Sequence, residues 1–232
     1  KRMSAREFAQ EYKGQFVDDL IQWFSDDLIK KCMVLKRSGV IHNDWKKYYL
    51  GVDVARLGKD LCVFSIIDGT NKDNILHIDS IIQTKKRLNE TYNKILQLDR
   101  SYNFKSILID DGGIGVSIFD FCLENPQTRK KIVAVNNRAR PLDKEEQHKK
   151  KLLKEDLYNN MLMLMEQGRL KLLDDDEVFL SLKSVQYEYV TKENALTKLR
   201  IFGDNTHLCE SLIRACWGIK EKHLNVWCAY SK

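Results

Sequence analysis

Four side chains in this 232-residue chain combine residue type and surroundings in a way that could do hydrolytic chemistry: Asp53, Asp110, His207 and Glu210. Asp53 lies inside KYYLGVDVA (47–55), a stretch apolar enough to be a strand buried on both faces. An ionised carboxylate there is costly unless a cation or hydrogen bonds compensate it. Asp110 closes SILID (106–110), at the carboxyl end of a short apolar strand, where open α/β sheets place their chemistry. His207 and Glu210 are three apart and Arg214 four further on, so all three fall on the helix face opposite Leu208 and Leu212. Carboxylates and an imidazole converging on one point suit a centre of two divalent ions, Mg2+ or Mn2+, that activates water and stabilises the leaving oxyanion of a phosphodiester. Each signal alone has a structural explanation. Asp53 could cap a turn, DDGGIG (110–115) could be only a tight strand-to-helix bend, and a first-turn Glu210 is favoured by the helix dipole. Their conjunction favours the metal.

The pattern of apolar residues shows what must position these groups. Lys47–Ala55, Leu61–Ile67 and Ile75–Ile82 are β-rich and separated by short polar turns, an antiparallel meander. Helix Leu88–Arg100 follows, then strand Ser106–Ile109, the glycine bend, helix Val116–Leu123 and strand Lys131–Val135. A long helix is expected over Lys144–Gln167, with Leu153, Leu157, Met161 and Leu164 on one face. An extended Arg169–Leu173, a short helix Glu177–Ser184, a hairpin pairing Gln186–Val190 with Leu196–Phe202, and a helix His207–Lys222 complete the chain. Upstream, Glu7–Tyr12 and Val17–Leu35 read as helical, with Phe16, Leu20, Phe24 and Leu28 four apart. The expectation is an α/β fold with a mixed sheet, three antiparallel strands then parallel ones, flanked by helices and carrying a β-hairpin insert before the last helix. Residues 1–45 read as a helical connector packed on a main domain over 46–232.

GVDVARLGKD (51–60), ILIDDGGIGVSIFDFC (107–122) and HLCESLIRACW (207–217) together resemble the C-terminal nuclease domain of the large terminase subunit of tailed viruses. KEDLYNNMLMLMEQGRLKLL (154–173) and the hairpin after it are similar to that family's long helix and insert, and FAQEYKGQFVDD (8–19) to its link from an ATPase domain. The resemblance implies an RNase H-like fold in which the first and fourth strands are neighbours. It implies a metal-dependent endonuclease that cuts concatemeric double-stranded viral DNA during genome packaging by two-metal hydrolysis. Asp53 would bridge both ions, Asp110 and Glu210 would hold one each, and His207 would assist. Many members carry aspartates where this chain has Leu208–Cys209–Glu210–Ser211, so Asp204 or Asp111 stands as an alternative third ligand, and Asp60 matches an acid that is more often structural. Implied partners are DNA, an upstream ATPase domain, the small terminase subunit and the portal, with no membrane, in a host cytoplasm. Two rivals share the features: an actin-like or sugar-kinase ATPase, with GVDVA and IDDGGIG as phosphate loops, and another RNase H-like nuclease such as a resolvase. No Walker A sequence is present.

Charge adds a contact surface. Between Arg129 and Lys154, ten basic residues face three acidic ones, a local +7 in a chain of net +6. Arg129, Lys130, Lys131, Arg138, Arg140, Lys149, Lys150 and Lys151 are the candidates for gripping DNA phosphates without sequence preference. Six cysteines without a CxxC pair suit neither a zinc ribbon nor a disulfide framework. No apolar run of 18 residues and no secretory h-region occur.

Overall fold

Alternation along YYLGVD divides one strand between two cores: Tyr48, Leu50 and Val52 join one apolar cluster, Tyr49 the other. The computed structural model describes residues 21–37, 45–54, 61–84, 87–110, 112, 115–135, 153–190 and 198–220. In chain order the elements are β1 (Ile21–Gln22), α1 (Asp26–Cys32), β2 (Met33–Leu35), β3 (Tyr48–Asp53), β4 (Leu61–Asp68), β5 (Ile75–Thr84), α2 (Leu88–Tyr102), β6 (Ser106–Ile109), α3 (Gly115–Glu124) and β7 (Ile132–Ala134). Then follow α4 (Leu153–Glu166), β8 (Leu170–Leu173), α5 (Asp176–Lys183), β9 (Gln186–Val190), β10 (Lys198–Phe202) and α6 (His207–Ile219).

Seven strands form a mixed sheet in the order β2-β8-β5-β4-β3-β6-β7. The meander β3-β4-β5 is antiparallel, and β6, β7, β8 and β2 pair parallel to their neighbours. This is the mixed sheet the patterning implied, with α2 and α3 on one face and α6 on the other. The hairpin β9-β10 pairs antiparallel, and β1 adds to it as a third strand.

Val17–Leu35 is not one helix over its described part. Leu28 N donates to Ser25 Oγ, 3.3 Å away, which caps a helix of only seven residues with Asp26 and Asp27 in its first turn. Met33–Leu35 then run extended beside β8. Trp23 and Phe24 precede the cap and pack edge-on and tilted against Tyr158, so their spacing reflects a shared core rather than a helical stripe. The stretch is thus built into the sheet and core through β2, Ile29 and Cys32.

Under α6 runs a chain of buried polar groups. His77 Nε2 lies 2.9 Å from Ser80 Oγ, Ser80 Oγ 2.9 Å from Ser65 Oγ, and Ser65 Oγ 2.5 Å from Ser211 Oγ, which donates to Leu208 O. These bonds satisfy hydroxyls that would otherwise be costly in the core and tie β5 and β4 to the first turns of α6. Burial pushes the His77 imidazole down to about 4, so it is neutral in the folded chain. Between pH 6.5 and 4 the unfolded chain would bind a proton that the folded one does not. Stability is therefore complete above that window and falls as pH drops through it, by roughly 3 kcal/mol from this group. Urea titrations across the window are expected to show this slope in the wild type and a shallower one in His77→Gln.

Candidate metal centre

The sheet brings two carboxylates together by register. Val52 of β3 is aligned with Ile109 of β6 in parallel pairing, so Asp53 and Asp110 stand next to each other at the carboxyl edge. Tyr49, Gly51 and Asp53 share the β3 face turned to α6, as Leu108 and Asp110 do on the β6 side. Gly51 lets α6 come close: a Cβ there would fall inside contact distance of Ser211 O and 2.6 Å from Ala215 N. Ser181 of α5 accepts from Cys209 N at 3.1 Å and donates to Asn205 O, supplying the N-terminal cap that Thr206 does not.

At the centre of this contact lies Arg214, wholly buried. Nη1 donates to Asp53 Oδ1 at 3.1 Å and is 3.3 Å from Glu210 Oε2, while Nη2 donates to Asp110 Oδ2 at 2.9 Å. Nη1 also donates to Glu210 O at 2.6 Å, and Nε finds no partner among the described residues. The second oxygen of each carboxylate is held from elsewhere. Asp53 Oδ2 is 2.8 Å from His207 Nδ1, and Asp110 Oδ1 accepts from Gly112 N at 2.9 Å. Glu210 Oε1 accepts from Tyr158 Oη at 2.8 Å and pairs with Lys154 Nζ at 3.1 Å.

Exposure grades the site from its mouth inward. The side chains of His207, Asp110, Asp53 and Glu210 are 35, 23, 12 and 8 % exposed, and that of Arg214 0 %. Burial alone would raise the Glu210 carboxyl, but Lys154, Arg214 and the Tyr158 hydroxyl together hold it below the ordinary glutamate value. The Asp110 carboxyl lies above its ordinary value: burial, aided by repulsion from Asp53 and Glu210, outweighs Arg214 and the Gly112 amide.

Hard carboxylate oxygens grouped in this way suit Mg2+ or Mn2+. Asp53 Oδ2 and Asp110 Oδ1, the oxygens not engaged by Arg214 and held instead by His207 and the Gly112 amide, are the donors that fit best. Glu210 is the deepest acid and has both oxygens on cations, so it fits less well. As the side chains stand, no three His, Cys, Asp or Glu among the described residues lie at coordinating spacing, because Arg214 draws one oxygen from each carboxylate.

All four principal residues read from the sequence meet here. Asp204 is exposed in the turn before α6, and Asp60 and Asp111 lie outside the described residues. The structure adds Arg214, Tyr158 and Lys154. Arg214 was visible on the helix face of His207 and Glu210; nothing in the sequence marked Tyr158 or Lys154.

The basic candidates divide. Lys131 donates to both Asp99 carboxylate oxygens and to Asn103 Oδ1, each at 2.9 Å, fastening the start of β7 to the end of α2. Ile107 N donates to Lys131 O, so Arg129–Lys131 stand at the beginning of β6, about 13 Å along the strand from Asp110. Lys131 is therefore a structural ion pair rather than a phosphate grip, and the exposed Arg129 and Lys130 flank the opposite edge of the sheet from the carboxylates. Arg138, Arg140, Lys149, Lys150 and Lys151 lie outside the described residues. No helix among the described residues is long and apolar enough to cross a membrane.

No protein-family model matches the chain, and no curated protein matches its sequence. Solved structures do match the fold. The large terminase nuclease of thermophilic phage G20c with bound magnesium aligns with a TM-score of 0.64 at 17% identity, over 84% of this chain and 96% of that one. The nuclease domain of the Thermus phage P74-26 large terminase gives 0.58 at 17% identity, over 84% and 94%. A longer large terminase, from another thermophilic bacteriophage, gives 0.62 at 16% identity, over 92% of this chain but 49% of its own length. The seven-stranded mixed sheet, an antiparallel meander continued by parallel strands and covered by α6, has the fold of the solved phage large-terminase nuclease domains.

Proposed function

We propose that this chain is a divalent-metal-dependent endonuclease acting on double-stranded DNA, with Asp53 and Asp110 as the principal metal ligands. The observation that carries the reading is their alignment on adjacent parallel strands, where both carboxylates meet Arg214 while part of each side chain stays exposed. Bound Mg2+ or Mn2+, two ions in the full assembly, would supply neutralisation of the scissile phosphate and an activated water. Asp53 and Asp110 would hold the ions, and His207 would orient the Oδ2 of Asp53. Glu210 serves as the third ligand only by exchanging Lys154 or Tyr158 for metal. The bound magnesium of the G20c nuclease supports a divalent ion on this fold. The substrate in this reading is concatemeric viral DNA, and the partners are an ATPase domain like the remainder of the longer phage terminase, the small terminase subunit and the portal.

Supercoiled plasmid incubated with the protein in EDTA, Mg2+ or Mn2+, beside an ATP-hydrolysis assay, tests it. Nicking and linearisation in Mn2+ or Mg2+ alone, with no ATP turnover, is the expected result. ATP hydrolysis without cleavage would favour the sugar-kinase reading of the same loops.

A further inference from the structure

We propose that Arg214 is a resident substitute for divalent charge: its guanidinium holds Asp53, Asp110 and Glu210 together when no ion is bound, so that the chain folds without metal. The inference rests on the metal reading above and extends it to how the empty centre survives.

Three carboxylates from three elements, β3, the end of β6 and α6, converge in a nearly dry space. Like charges so placed disfavour the arrangement unless a cation joins them. Of the three acids, Lys154 pairs with Glu210. Asp53 and Asp110 have one fully buried cation in common, Arg214, and a planar fork can take an oxygen from each where a point-like ammonium could not span both. The fork approaches from the protein side and leaves Asp53 Oδ2 and Asp110 Oδ1 to His207 and Gly112. Resident cation and arriving ion therefore use different oxygens of the same two carboxylates.

Arg214 is thus a positioning residue, and removing its charge should make folding conditional on metal. Thermal melts of the full chain in EDTA and in saturating Mn2+, with Mn2+ binding followed by electron paramagnetic resonance, test this. In EDTA, Arg214→Gln is expected to melt roughly 10 °C or more below wild type. Mn2+ should recover most of that loss while moving wild type by only a few degrees. Arg214→Lys should fall between the two. The double variant Arg214→Gln/Asp53→Asn, which has one acid fewer to hold apart, should melt higher in EDTA than Arg214→Gln alone. Should Arg214→Gln not fold in EDTA, preparation in Mn2+ followed by chelation replaces the melt, and unfolding on chelation supports the proposal. Equal Mn2+ shifts in wild type and Arg214→Gln, or a double variant no more stable than the single one, would overturn the substitution role and leave the metal reading standing. Absence of Mn2+ binding by either protein would overturn the metal reading itself.

Discussion

Asn in place of Asp53 is expected to abolish metal-dependent plasmid cleavage, by at least roughly 10³-fold, while the chain stays folded. The asparagine amide keeps the shape of the carboxylate but loses its charge and one acceptor oxygen. Asp53 Oδ2 is the carboxylate oxygen not held by Arg214, and its neighbour His207 would have nothing anionic left to orient toward. The fold should tolerate the change, because Arg214 retains Asp110 and Glu210 as partners and one repulsive charge disappears. Initial nicking rates in Mn2+, together with the circular dichroism spectrum, check both halves. Cleavage at the wild-type rate by Asp53→Asn would remove this aspartate from the chemistry.

Alanine at Gly51 should do comparable damage by a different route. The added methyl would meet the Ser211 carbonyl and Ala215 amide, which are backbone atoms of a buried helix that cannot turn aside. Overpacking of this kind is expected to destabilise the chain by about 3 kcal/mol or more. In a chain of this length that corresponds to a drop in melting temperature of roughly 6–12 °C. Cleavage should fall further than the folded fraction does. Lifting α6 off β3 moves Arg214, Glu210 and His207 together away from Asp53, and hydrolytic centres are sensitive to displacements of this scale. A melt and a nicking assay on the same preparation separate the two effects.

Much of the architecture was legible because its signals are local. Strands buried on both faces appear as unbroken apolar runs, and β3, β4 and β6 fall within a residue or two of the expected limits. Asp53 and Asp110 stood out because carboxylates in such runs are expensive, and His207 and Glu210 because their spacing is helical. What escaped was non-local. Arg214 looks like any helical arginine paired with Glu210 until two distant acids, Asp53 and Asp110, are brought to it, and Lys154 and Tyr158 became part of the centre only when α4 packed against α6. Lys131 read as one of a cationic run, yet Asp99, 32 residues earlier, had already taken its charge. Val17–Leu35 misled for the opposite reason. The cap signal at Ser25–Asp26–Asp27 lay in plain sight, and the four-residue spacing of aromatic and aliphatic groups across it was given more weight than the stop it implied.

The centre is closed by a contact between residues 161 positions apart, Asp53 and Arg214. During synthesis the antiparallel pairs within the meander from Tyr48 to Thr84 are complete long before His207–Ile219 has been translated. Closing so wide a loop is entropically slow, so the last helix sets the timing. An unfinished chain on the ribosome accordingly carries Asp53 and Asp110 without the guanidinium that joins them until that helix is made.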